Sequence, residues 1–236
     1  MIMCWANYPN HGIKEKLEPL GIHLINVAEG MLKHPDFKRI SKKLSKAYGI
    51  DTKVSQDIIF LIGLLHDIGK AHTKYQRELE KGFSKHEFYS AFAVNYVLTT
   101  RNVDETIKTL ITYPIMLHHY AQRYDANKAY GGVSNELGIK ESPVLPIHKQ
   151  CIKDVIKALT YGESTVVSDL GKDIINELIK EVKTSNVLYL YPLGNDPLKP
   201  LQSIIQQNRW FGITALTGIL NEVDGKTARR NRRDKI

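Results

Sequence analysis

Apolar residues recur at three- and four-residue intervals along most of the chain, and few stretches alternate with the period of two of a half-buried strand. Phe37, Ile40, Leu44 and Ala47/Tyr48 fall on one helical face, and Gly49 stands where a C-terminal stop is expected. Residues 55–69 carry Ile58, Ile59, Leu61, Ile62, Leu64 and Leu65, apolar nearly all round, which predicts a central buried helix. Further helices are predicted over 86–98, over 104–119 with a kink at Pro114, and over 149–159. Leu170, Ile174, Ile175, Leu178, Ile179 and Val182 form a stripe behind Ser168 as N-cap, and 201–223 is a last, broadly apolar helix. The expected fold class is all-α, a compact helical bundle. Residues 121–147 and 189–200, rich in glycine and proline, read as a long loop insert and a second loop. With no internal repeat or low-complexity tract, the expected organisation is one domain over 1–225 and a basic C-terminal tail over 226–236.

Composition narrows the class without naming a function. At 236 residues, 42% hydrophobic and 25% charged, the chain is long enough to bury a core and excludes disorder, collagen-like repeats and a disulfide scaffold. Cys4 and Cys151 have no Cys-x-x-Cys spacing, so neither a zinc ribbon nor a disulfide framework is legible, and a reducing cytosol is expected. No apolar run reaches the roughly 20 residues a bilayer requires, and the first ten residues lack the pattern of a secretory signal, so a cytoplasmic protein without a membrane partner is expected. The net charge of +8 is local: residues 36–48 contribute +4 and residues 226–236 contribute +5, leaving the remainder near neutral. Two cationic segments suit an anionic partner such as a nucleic-acid backbone.

Candidate chemistry sits where apolar helices end. His66-Asp67 closes the greasiest run, just before Gly69-Lys70, and an ionised carboxylate there needs a cation or a polar network. Lys70 lies four residues after His66 and is expected to share its helical face. His118-His119 ends the run through Ile107, Leu110, Ile111, Ile115, Met116 and Leu117, and His23 lies inside the apolar stretch 20–27. His86 opens a helix, and Asp224 follows the Ile219-Leu220 turn, with Asp173 and Asp169 as substitutes. Histidine and aspartate repeated at helix ends is the layout of a metal site in a bundle, between helix ends, and the mixed donor set suits Mn, Fe, Co, Ni or Zn, with Mg on the oxygen-rich side.

The ordered set His23, His66-Asp67, Asp224 resembles the H…HD…D signature of the HD phosphohydrolase superfamily. Leu64-Leu-His-Asp-Ile-Gly-Lys-Ala71, Tyr75-Gln76, Lys85-His86-Glu87 and the paired His118-His119 are similar to the HD nuclease domain of the CRISPR-associated helicase-nuclease of Type I systems. Trp5-Ala6-Asn7 also resembles that family's N-terminal motif, with Asn7 where lysine is usual. The resemblance implies two divalent ions, one held by His23, His66, Asp67 and Asp224, the other by His86, His118 and His119, with Asp67 between them. It implies hydrolysis of single-stranded DNA, RNA or the displaced strand of an R-loop by metal-activated water, with Asp67 and Lys70 as catalytic residues. Lys70 would neutralise the phosphate. The implied partners are a separate helicase subunit and the CRISPR surveillance complex, and the basic residues Lys226, Arg229, Arg230, Arg232 and Arg233 would hold the strand.

Competing readings bound this one. His11, His34, His72 and His148 fit no motif and read as ordinary core or surface histidines. Gly225-Lys226-Thr227 is not a phosphate loop, since Leu220 stands where the first glycine belongs and a helix precedes it. Tyr120, Tyr124 and Tyr130 could stack on unpaired bases, a weak signal. The alternatives are an HD phosphohydrolase of nucleotides or cyclic dinucleotides, and a degenerate, non-enzymatic HD module.

Overall fold

The structure, a computed structural model, describes residues 3–7, 17–119, 143–193 and 210–232. Among them run nine α-helices: α1 (Leu20–Lys33), α2 (Phe37–Tyr48), α3 (Thr52–Leu65), α4 (Thr73–Arg77), α5 (His86–Thr100), α6 (Glu105–Leu117), α7 (Cys151–Thr165), α8 (Asp169–Ser185) and α9 (Phe211–Arg232). The all-α expectation holds. Two three-residue strands, β1 (Val144–Pro146) and β2 (Val187–Tyr189), pair antiparallel with Leu145 opposite Leu188. They lie at the ends of the two stretches read as loops, and three residues are too few to display a period of two.

Every residue of α3 from Ile58 to Leu65 is buried, as its all-round apolar pattern requires, and α1, α2, α6 and α8 pack around it. Asp57 is satisfied inside this core by accepting from the backbone N–H groups of Val167 and Ser168 and from Ser168 Oγ. Ser168 in turn caps α8 by accepting from Gly171 N–H at 3.0 Å. Gly49 ends α2 with φ of 68°, the left-handed conformation open to glycine. The α2 face carrying Lys38, Arg39, Lys42, Lys43 and Lys46 is exposed, while Ile40, Ser41 and Leu44 are buried. That cationic segment is therefore a solvated helix face.

Three expectations change. The central helix ends at Leu65 rather than continuing to 69, and Ile68–Ala71 forms a 3₁₀ turn that brings Gly69 against α5. As expected, α6 runs through Pro114, to Leu117. The final helix extends past Gly225 to Arg232, so residues 226–232 are helix rather than tail. Glycine in a helix interior costs roughly 1 kcal/mol, which is offset here by buried Thr227 and by Asn231 and Arg232 bonding to Glu18. Lastly, Cys4 and Cys151 are paired in a fully buried disulfide with Cα atoms 4.8 Å apart. The pairing ties residues 3–7 to the start of α7, worth about 5 kcal/mol in the chain-entropy account. Reading the two cysteines as unconnected was incorrect, and a reducing compartment loses that support.

Away from the chain's histidines, Glu181 is a core carboxyl with an unmet need. Glu181 of α8 accepts from Tyr189 N–H at 3.2 Å through Oε2, while its buried Oε1 has no partner. Burial pushes its pKa from the ordinary 4.5 up to about 7. The folded state thus favours the protonated form. The penalty for ionising it is absent below about pH 4.5, grows between 4.5 and 7, and is complete above 7. Glu181→Gln is expected to raise stability at pH 8 by on the order of 1–2 kcal/mol after solvent screening. That corresponds to roughly 3–6 °C in Tm, with no gain at pH 4.5, as thermal melts at the two pH values will check.

Candidate metal centre

Four helix ends, the middle of α9 and the 3₁₀ turn converge on Asp67. His66 and Asp67 follow the C-terminus of α3, His86 is the first residue of α5, and His118 and His119 follow α6. His23 projects from the first turn of α1 and Asp224 from the middle of α9. Asp67 Oδ2 lies 3.1 Å from His23 Nε2 and 3.4 Å from His66 Nε2, while its Oδ1 lies 2.8 Å from His86 Nε2 and 3.5 Å from His118 Nε2. Asp224 Oδ1 is 3.2 Å from His23 Nε2 and 3.8 Å from His66 Nε2. Two groups have donor atoms close enough to hold an ion, Asp67/His86/His118/His119 and His23/His66/Asp224, and the two oxygens of Asp67 face one group each. All seven residues expected to bind metal are brought together.

The imidazoles are oriented for ligation. His66, His86 and His118 each donate Nδ1–H to the carbonyl three residues earlier, of Gly63, Phe83 and Ile115, and His23 Nδ1 bonds Glu18 Oε1 at 3.0 Å. A carbonyl only accepts, so Nδ1 carries the proton and the Nε2 lone pair points inward. The Nε2 atoms of His23, His66, His86 and His118, His119 Nδ1 and Asp67 Oδ1 are buried and make no well-aligned hydrogen bond. Six orphaned polar atoms in one place is a cost a protein core does not carry without a ligand, and the N/O donor set fits divalent transition ions.

The charge balance points the same way. Burial opposes ionisation of Asp67, but Lys70, His66 and His86 outweigh it and hold its pKa well below the carboxylate range. Asp224 is likewise held low against burial by His23 and His66. Burial opposes a proton on His23, yet Asp224, Asp67 and Glu18 raise its pKa well above the ordinary value. These carboxylates draw positive charge to the place where His23 Nε2 points. On the other side, burial and then His118 and His86 push His119 down to about 2, and burial and then Lys70 lower His86, so both stay neutral as ligands must.

Lys70 is buried, and its Nζ sits 2.5 Å from Asp67 Oδ2. It reaches Asp67 from the 3₁₀ turn and does not share a helical face with His66, because α3 has already ended. Of the expected strand-binding residues, Lys226, Arg229 and Arg230 are exposed on α9. Arg232 turns inward instead, its Nε 2.8 Å from Glu18 Oε2. Arg233 and the tyrosines at 120, 124 and 130 lie outside the described residues, as does His11. His34 bonds Glu222, His72 caps α4, and the His148 carbonyl accepts from Cys151 N–H; none of the three joins either donor group. Asp169 and Asp173 belong to α8 and do not join either donor group.

Two positioning residues escaped the sequence reading. Glu18 bonds His23, Asn231 and Arg232 at once, joining the start of α1 to the end of α9. Gln76 accepts from Trp5 N–H and donates to the carbonyls of Trp5 and Lys70, fastening the Trp5-Ala6-Asn7 segment beside the 3₁₀ turn. Asn7 Oδ1 accepts from Glu18 N–H at 2.7 Å. The only signal available was polar residues in an otherwise apolar setting, and Tyr75-Gln76 was noted only through a family resemblance.

Among the described residues no helix is long and apolar enough to cross a membrane. No curated protein and no solved structure matches the chain. Residues 20–129 match the family model of the HD domain. The matched span contains six of the seven converging ligands, and Asp224 comes from α9 beyond it: over 20–129 this chain is similar to the HD domain.

Proposed function

We propose that the chain is a divalent-metal-dependent nuclease that hydrolyses phosphodiester bonds of single-stranded DNA, and also RNA or the displaced strand of an R-loop. The observation that carries this reading is the Asp67 carboxylate, whose two oxygens each face a separate group able to hold an ion. Two divalent ions, of Mg, Mn, Co, Ni or Fe, would be held by His23/His66/Asp67/Asp224 and by Asp67/His86/His118/His119. When bound they would supply water activation and charge neutralisation at phosphorus. The protein's own residues do the rest. Glu18 and the three backbone carbonyls fix the imidazoles. Lys70 presents an ammonium at Asp67 Oδ2, within the same buried space, to offset charge on a phosphate.

A polymeric substrate is favoured by the surroundings. Asp224 is more exposed than Asp67 or His23, so the centre opens towards α9. Between α1 and α9, the helices that carry His23 and Asp224, a cavity of about 300 Å³ is lined by Glu29, Lys33, His34, Lys226 and Arg230 among others. Phosphate contacts there would give affinity without sequence preference. In this reading the chain works in the cytoplasm with a separate CRISPR-associated helicase subunit and the surveillance complex. Complete burial of Cys4 and Cys151 would shield their bond there.

The test is to offer the protein single-stranded DNA, duplex DNA, RNA, nucleotides and cyclic dinucleotides with each metal or with chelator. Metal-dependent cleavage of single strands is expected, and turnover of the small nucleotides alone would replace this reading with the nucleotide-phosphohydrolase one. Lys70→Ala should lower kcat by roughly tenfold or more while Mn²⁺ affinity is unchanged or tighter, because an ammonium competing for Asp67 is gone. Loss of metal binding would make Lys70 structural.

A further inference from the structure

Around α4, the Leu79–Lys81 turn and the start of α5 lies a second cavity, about 250 Å³, lined by Lys74, Tyr75, Glu78, Lys81, Ser84, Lys85 and Tyr89 among others. Its charge is one-sided. Three lysines face one carboxylate, and Glu78 meets Lys81 at 3.1 Å with both side chains exposed, an ion pair that holds little against an incoming anion. One wall is aromatic: Tyr75 lies 6.3 Å from Tyr89 and 5.9 Å from Phe83, ring centre to ring centre, and His72 stands 5.6 Å from Tyr89. Tyr75 is buried and fixed by its hydroxyl on the Ser84 carbonyl, while Tyr89 is half-buried at the cavity.

The cavity shares a wall with the metal centre. The Phe83 ring lies 5.5 Å under Lys70 Nζ, and its carbonyl accepts from His86 Nδ1, so residues 82–85 position metal-centre groups on one side and line the cavity on the other. Gly82 and Lys85 wrap this segment around the rim with φ of 70° and 69°. Glycine takes that conformation freely, whereas lysine takes it against a steric cost and is held there directly before the ligand His86.

We propose that this cavity is a nucleotide subsite, binding a phosphate with its lysines and a base against Tyr89, and that it holds the strand segment adjoining the one at the metal centre. The proposal rests on the nuclease reading and refines it by naming where the flanking nucleotide sits. Stacking on an aromatic and ionic contact to the backbone together suit single-stranded nucleic acid of any sequence.

The test uses the full-length protein in chelator, with a fluorescent twelve-residue oligothymidylate read by anisotropy over a salt series. Lys74 and Lys81 are exposed, so Lys74→Ala/Lys81→Ala leaves the core untouched. It should weaken binding at least fivefold, with the log–log salt slope shallower by about 1.4, two phosphate contacts on a single strand. Tyr89→Leu keeps an apolar side chain and should weaken the oligothymidylate severalfold, yet leave an abasic oligomer of equal length unchanged. Both variants should bind Mn²⁺ as wild type does. Variant affinities and slopes equal to wild type overturn the subsite alone, provided wild type binds. Wild type that binds no oligonucleotide overturns the nuclease reading with it. Thymidine monophosphate competing as well as the oligomer overturns the strand assignment, and altered Mn²⁺ affinity shows the cavity acting only through the centre.

Discussion

Asp67→Asn is expected to abolish hydrolysis and reduce the bound metal to one ion or fewer per chain. The substitution preserves shape, so its effect isolates charge. Among the described residues Asp67 is the group whose two oxygens reach both ligand clusters, at 3.1 Å from His23 on one side and 2.8 Å from His86 on the other. An asparagine can offer one neutral oxygen to one cluster. Its amide group must then face imidazole lone pairs from the other. The same change strands Lys70, buried with its ammonium on Asp67, and breaking a buried pair from one side costs about 3–5 kcal/mol. Loss of activity by unfolding is therefore a rival explanation, and Asp67→Asn/Lys70→Met separates the two. It should recover much of the lost thermal stability while remaining inactive and metal-poor. Metal titration, turnover and melts of the three proteins check this, and retained hydrolysis in Asp67→Asn overturns the two-ion reading.

How far the sequence carried is best seen at individual residues. The paired ligands were legible because they interrupt apolar helical runs at their ends: His66-Asp67 after Leu65, and His118-His119 after Leu117. Such positions waste burial unless something polar is built there. Ser168 and Gly49 were legible because caps depend on a few neighbouring residues. Glu18 was not, since its meaning comes from His23 and from Asn231 and Arg232, whose side chains reach it across more than 200 positions. The Cys4–Cys151 bond was hidden for the same reason, spanning 147 positions without a spacing motif. The end of α9 was misjudged because Gly225 and a run of charge look like a stop locally, and only contact with Glu18 makes the helix continue. Local rules fixed elements and ligand identities; the supporting contacts needed tertiary proximity.

Gly69→Ala tests that supporting frame at its tightest point. A Cβ on Gly69 would meet the carbonyl oxygen of His86 at 2.4 Å and both N and Oγ of Ser90 at 2.9 Å, two of the three being backbone. Ordinary contact begins near 3.5 Å, so the turn and α5 must separate by roughly 1 Å. Little nearby can yield, because Gly69 N–H is bonded to Ser90 Oγ, which donates to the His86 carbonyl. The 3₁₀ turn carries Lys70 and begins directly after Asp67, and α5 carries His86, so the separation acts on the 2.8 Å approach between Asp67 and His86. Overpacking of this kind costs about 1–3 kcal/mol, or roughly 3–10 °C in Tm for a chain of this size. A misplacement near 1 Å should lower kcat by on the order of 10²-fold. Gly218→Ala is the matched control: it lies within α9 with nothing inside 4 Å of the added methyl. That change should stabilise by about 0.5–1 kcal/mol without altering activity. If Gly69→Ala melts and turns over like wild type, the packing of the turn on α5 does not set the geometry of the centre.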